Sequence, residues 1–123
     1  MNGRMKRVQE AIKREVSVIL QEEINDPRVK GVTVTGVEMT RDLKLAKVFY
    51  ILPSSSSALS AEEKKDAEKG LKSAAGFIRG EIGRRVPMKF IPQISFREDT
   101  LDEKKRTLND VFEEIEKEHR EKA

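Results

Sequence analysis

Residues 71–79 read Leu71-Lys72-Ser73-Ala74-Ala75-Gly76-Phe77-Ile78-Arg79. Around them Ala67, Leu71, Ala74, Ile78 and Ile82 recur at spacings of four, three, four and four, which places them on one stripe of a helix. Gly70, Gly76, Gly80 and Gly83 lie inside or beside that stripe. Each interior Gly costs ~1 kcal/mol relative to Ala in a helix. A stripe that persists over so weakened a backbone predicts two helical pieces joined at a kink at Ala74, Ala75 and Gly76, where another backbone can come close.

Toward the N-terminus, Ser60-Ala61-Glu62-Glu63 has the pattern of a capping box and predicts the start of this helix. The serine run Ser54–Ser57 after Pro53 has no means of burying surface and reads as a surface loop. Leu45 to Leu52 is apolar at nearly every position, the pattern of a central strand covered on both faces. Thr40-Arg41-Asp42-Leu43-Lys44 is a tight polar connection to an earlier strand, Gly31 to Met39. In that strand Val32 and Val34 are out of phase with Val37 and Met39, so a bulge or twist is expected at Gly36. Before it, Met5, Val8, Ile12, Val16, Ile19 and Leu20 keep helical spacing over residues 4–24, and Asn25-Asp26-Pro27 ends that helix.

Toward the C-terminus, the glycine-bearing helix should end near Gly83, with Pro87 as a stop. Met88, Phe90, Ile94 and Phe96 alternate in phase, but Pro92 cannot donate to a ladder, so the third strand is at an edge or begins after Pro92. A hairpin followed by a helical crossover should make that strand parallel to the second. The fold class is α+β: a three-stranded mixed sheet with helices on one face, over residues 1–100. Residues 101–123 form a charged acidic tail in which Leu108, Val111, Phe112 and Ile115 could carry a short helix or remain disordered.

Charge points to a partner class. The chain carries +3 overall, but Glu98 to Ala123 holds ten acidic and six basic residues, which leaves +7 on the preceding 97. A basic body suits a polyanion such as nucleic acid. The cationic candidates are Arg4, Lys6, Arg7 and Arg14 on the first helix, Arg28 and Lys30 in the next loop, and Arg41 and Lys44 in the hairpin. Lys72, Arg79, Arg84, Arg85 and Lys89 follow along and after the kinked helix. Phe49, Phe77, Phe90 and Phe96 read as core residues, so RNA recognition is expected through shape and backbone rather than base stacking. No apolar run approaches the ~20 residues of a membrane span, and the basic N-terminus has no apolar signal core behind it.

Catalytic chemistry finds little material. There is no Cys, and the single His, His119, lies in the tail, so no zinc site can be assembled and no cofactor is implied. The serines of the loop have no activating base. Asp26, Asp42 and Asp99 read as turn and cap residues rather than a metal set. Gly80-Glu81-Ile82-Gly83 matches the GxxG of a nucleotide-clamping loop, but Ile82 belongs to the helical stripe and Glu81 would repel phosphates.

The order of elements is that of a type II KH-like domain, and the residues resemble one family, ribosome-binding factor A, over roughly Arg4 to Thr100. The resemblance rests on Arg7-Val8 with Ile12 and Leu20, on Asp26-Pro27-Arg28, and on Val32-Thr33-Val34-Thr35. It continues through Asp42-Leu43 with Ala46-Lys47-Val48-Phe49, Ala74-Ala75-Gly76-Phe77-Ile78-Arg79, and Pro92-Gln93-Ile94-Ser95-Phe96 with Asp99. Arg41 stands where the family usually has Pro, and Phe49 where it commonly has Tyr. The resemblance implies that an Ala-x-Gly kink, here Ala74 to Gly76, replaces the GxxG loop of ordinary KH domains.

It further implies a non-enzymatic assembly factor in the cytoplasm. Such a factor binds the free small (30S) ribosomal subunit and assists late maturation and processing of 16S ribosomal RNA. It would be a monomer without cofactor, released with the help of another factor such as an assembly GTPase. Two other readings of the residues compete with this one: a general single-stranded RNA-binding KH-like module, and a protein-interaction adaptor working through the acidic tail.

Overall fold

The computed structural model describes residues 3–52 and 61–99. The elements run α1 (Gly3–Glu22), a 3-10 turn (Pro27–Val29), β1 (Thr33–Met39), β2 (Leu45–Ile51), α2 (Ala61–Arg85) and β3 (Gln93–Glu98). The strands lie in the order β1-β2-β3, with β1 antiparallel and β3 parallel to the central β2. The α+β mixed sheet expected from the sequence is therefore present. The expected serine loop, the Ser60 cap and the tail helix lie outside the described residues.

Packing follows the apolar patterns. On α1, Ile12, Val16, Ile19 and Leu20 are buried, and on α2 Ala67, Leu71, Ala74, Ile78 and Ile82 are buried. On β2 burial alternates, with Ala46, Val48 and Tyr50 turned to the helices. Apart from Ala67, these residues form one core with Val34 and Met39 of β1, and Ile94 and Phe96 of β3 pack against it. The ring of Phe96 meets Tyr50 edge-on, with centroids 6.4 Å apart. The two-sided burial expected of β2 is thus one-sided.

The bulge expected near Gly36 falls on Thr35. Val34 pairs with Tyr50 and Gly36 with Phe49, so Thr35 is the extra residue. The insertion restores the phase, bringing Val34, Val37 and Met39 opposite Tyr50, Val48 and Ala46 on the core side. The freed Thr35 hydroxyl donates to Asp99 Oδ2 at 2.6 Å, while the Asp99 N–H donates to the Tyr50 carbonyl, which ties off the end of the sheet.

Two turns close the remaining connections. Asp26 caps the 3-10 turn by accepting from the Arg28 N–H at 2.9 Å, and Gly31 takes a φ of 84° on the way into β1. In the β1–β2 hairpin, Asp42 Oδ1 accepts from the Thr40 hydroxyl at 2.7 Å and from the Lys44 N–H at 3.0 Å. Asp26, Asp42 and Asp99 are therefore structural, and no group of residues that could hold a metal occurs among the described residues.

The main departure from the sequence reading is α2. It is one helix of 25 residues from Ala61 to Arg85, with no break at Ala74-Ala75-Gly76, although it does end near Gly83 and before Pro87 as expected. Its buried stripe outweighs the propensity cost of the glycines, since tertiary packing dominates helical stability. One of those glycines serves a close approach: a Cβ at Gly70 would stand 2.8 Å from Val29 Cγ1 and 3.1 Å from Arg28 Cβ.

Candidate nucleic-acid interface

The cationic residues sort by place and by partner. The Met39 N–H donates to Gln9 Oε1 at 2.9 Å, which brings the first turns of α1 to the hairpin end of the sheet. The Gln93 N–H donates to the Lys44 carbonyl at 2.8 Å, which brings the segment after α2 to the same end. Arg4, Lys6 and Arg7, Arg41 and Lys44, and Lys89 thus lie toward one end of the molecule, all exposed. Arg28 and Lys30 lie at the other end, beside the start of β1. Arg14 is exposed on α1, and Lys72 and Arg84 are exposed on α2.

Several of the expected contacts are already committed within the fold. Arg28 grips Asp26, Nε to Oδ1 at 3.1 Å and Nη2 to Oδ2 at 2.8 Å. That hydrogen bond holds the Asp26 carboxyl below its usual range and raises the Arg28 guanidinium above its own. Arg79 donates to the carbonyls of Pro92 at 3.1 Å and Ile91 at 2.9 Å, and so anchors the loop that leads into β3.

Arg85 bolts the two helices together. It pairs with Glu15 of α1 at 3.4 Å, with Glu23 in the turn just after α1, and with Glu81 of its own helix at 3.0 Å. The Glu23 hydrogen bond is the first cause of its raised pKa. Arg84 pairs with the other oxygen of Glu81.

Gly80-Glu81-Ile82-Gly83 is not a loop. It lies within α2, Glu81 is 7% exposed, Ile82 is fully buried, and a Cβ at Gly83 would meet Ile91 Cδ1. A clamp of the ordinary KH type has no place there. What remains on α2 is a polarised surface. From Lys69 to Pro92 the chain holds six cations (Lys69, Lys72, Arg79, Arg84, Arg85 and Lys89) and one acid, the buried Glu81.

The aromatic residues correct the sequence reading. Of the four phenylalanines expected in the core, only Phe96 packs against it. Phe49 alternates with Val48 and Tyr50 and so sits half-buried on the sheet's outer face. Phe77 is 49% exposed and Phe90 75% exposed, with Lys89 Nζ 5.7 Å from the Phe90 ring centroid. Sequence patterns held a signal for both. Phe77 lies off the stripe, because Ile78 takes the core position, and Phe90 sits between Pro87 and Pro92, where no ladder can form.

A family model for ribosome-binding factor A matches residues 4–112. The ribosome-binding factor A of Caldanaerobacter subterraneus subsp. tengcongensis is 42% identical over 118 residues, 95% of this chain and 93% of its own length. That of Clostridium perfringens is 48% identical over 99 residues, 80% of this chain and 82% of its own. Among solved structures, the crystal structure of ribosome-binding factor A from Thermus thermophilus superposes with a TM-score of 0.64 at 21% identity, covering 76% of this chain and 93% of that one. A homology model of the Thermus thermophilus ribosome-binding factor A, as fitted into the cryo-electron-microscopy map of its 30S complex, gives a TM-score of 0.53 at 20% identity over 80% of this chain and 93% of that one. The structures establish the shared fold, and the sequence matches establish the family. This chain belongs to the ribosome-binding factor A family.

Proposed function

We propose that this protein binds the free small ribosomal subunit and assists late maturation and processing of its 16S RNA, through binding energy alone. The observation that carries the reading is the cationic half of α2 and its following loop, six positive residues against one buried acid, in a chain of the ribosome-binding factor A family. Lys and Arg on a rigid helix supply phosphate contacts without reading sequence. The fitted 30S complex of the Thermus thermophilus relative supports the small subunit as the partner. Occupancy would hold a mobile RNA segment aside until assembly completes, with no catalytic residue and no cofactor. The protein would act in the cytoplasm as a monomer, and its release would fall to another factor, an assembly GTPase being the fitting class.

The test is charge reversal on the exposed part of that surface. Lys69→Glu, Lys72→Glu and Lys89→Glu together should weaken pelleting with small subunits by at least tenfold while thermal unfolding stays close to that of the parent chain. Removing residues 108–123 should matter less. Equal pelleting of parent and triple variant would contradict the reading.

A further inference from the structure

Phe77 has half its surface in water at the centre of the cationic helix face. On α2, Lys69, Ser73, Gly76, Phe77, Gly80 and Arg84 are all exposed and recur at intervals of three and four, so they share the outward side of the helix. A Cβ at Gly76 or at Gly80 would meet nothing within 4 Å, so beside the ring the surface is bare backbone. Lys69 and Arg84 stand roughly 10–12 Å to either side along the axis, at 1.5 Å per residue. The only acid on this half of the helix, Glu81, is turned inward and held by Arg84 and Arg85. A flat apolar ring with open flanks and cations at both ends, free of carboxylates, fits an unpaired base joined to phosphates. Phe90 differs: an ammonium already lies near its ring, and it sits in a loop held to α2 by Arg79.

Resting on the proposed subunit binding, we infer that Phe77 is a stacking platform for one unpaired base of the small-subunit RNA, with Lys69 and Arg84 taking the adjoining phosphates. Stacking on an exposed aromatic is worth ~1–3 kcal/mol per base and tolerates any base, since each has a π face. The helix holds the ring in place beforehand, so little ordering is lost on binding.

The chain contains no Trp, so Phe77→Trp places a single indole reporter at the site. The full-length variant is titrated with small subunits and with protein-free small-subunit RNA, and the wild-type chain is pelleted with subunits in parallel. Indole emission should be quenched and shielded from acrylamide in both titrations. Phe77→Ala should weaken subunit binding about tenfold with an unchanged salt slope, and Phe77→Leu, which keeps apolar area without a π face, should resemble it. Wild-type pelleting with unchanged indole emission from the Phe77→Trp variant, or with Phe77→Ala binding as tightly as the parent, overturns the stacking role and leaves subunit binding standing. Quenching by subunits but not by protein-free RNA also overturns it, and assigns the ring to a ribosomal protein. Failure of the wild-type chain to pellet removes the underlying reading instead.

Discussion

Gly70 and Gly76 lie on the same helix and should respond in opposite ways to an added methyl group. At Gly70 the Cβ would press into Val29 and Arg28, and such overpacking costs ~1–3 kcal/mol, more than the ~1 kcal/mol that Ala gains in helix propensity. Gly70→Ala should therefore lower the urea midpoint. At Gly76 and Gly80 the methyl would enter open space, so Gly76→Ala or Gly80→Ala should raise stability by up to ~1 kcal/mol each. A second expectation concerns alkaline pH. Burial, first, and then Glu98 and Glu68 push the Tyr50 phenol up to about 12, while an unfolded Tyr titrates near ~10. The folded state keeps the proton longer, so the stability linked to it is complete below pH ~10 and is lost as pH rises toward 12. Urea midpoints measured from pH ~8 to ~11.5 should fall above pH ~10 in the parent and show less of that fall in Tyr50→Phe.

Between elements, Arg85 ties α2 to Glu15 of α1 and to Glu23 just beyond it, with Glu81 buried beneath. Arg85→Met should lower the urea midpoint clearly, since it leaves carboxylates without their shared cation. Glu81→Met with Arg85→Met should cost less than the sum of the two single changes, because the residues act as one unit. The elements themselves were legible because each follows from a local rule. Stripes gave α1 and α2, Pro92 gave the start of β3, and the phase slip in β1 gave the bulge. The uninterrupted course of α2 was not legible, since four glycines argue locally for a break. What keeps the helix whole is distant in sequence: its buried stripe against the sheet and the fit of Gly70 under Val29.

At the scale of the molecule, charge was legible and its availability was not. Composition alone shows +7 ahead of an acidic segment, and the positions of the cations can be read off the sequence. No local pattern reveals that Arg79 is spent on two backbone carbonyls or Arg85 on Glu15 and Glu23, because those partners lie far along the chain or across the fold; of the Arg85 pairs only that with Glu81, four residues back, is local. Nor could spacing alone decide how much of Phe77 or Phe90 stays in water, since burial depends on what packs opposite. The surface that remains is a basic helix face with an exposed ring, and the proposed function gives it a partner to meet. The most direct test is to pellet the purified chain with free small subunits, large subunits and joined ribosomes across a salt series. The account predicts recovery with free small subunits, little with the others, and an affinity that falls linearly on a log–log plot as salt rises. Equal recovery with all three particles, or a small-subunit affinity indifferent to salt, would contradict it.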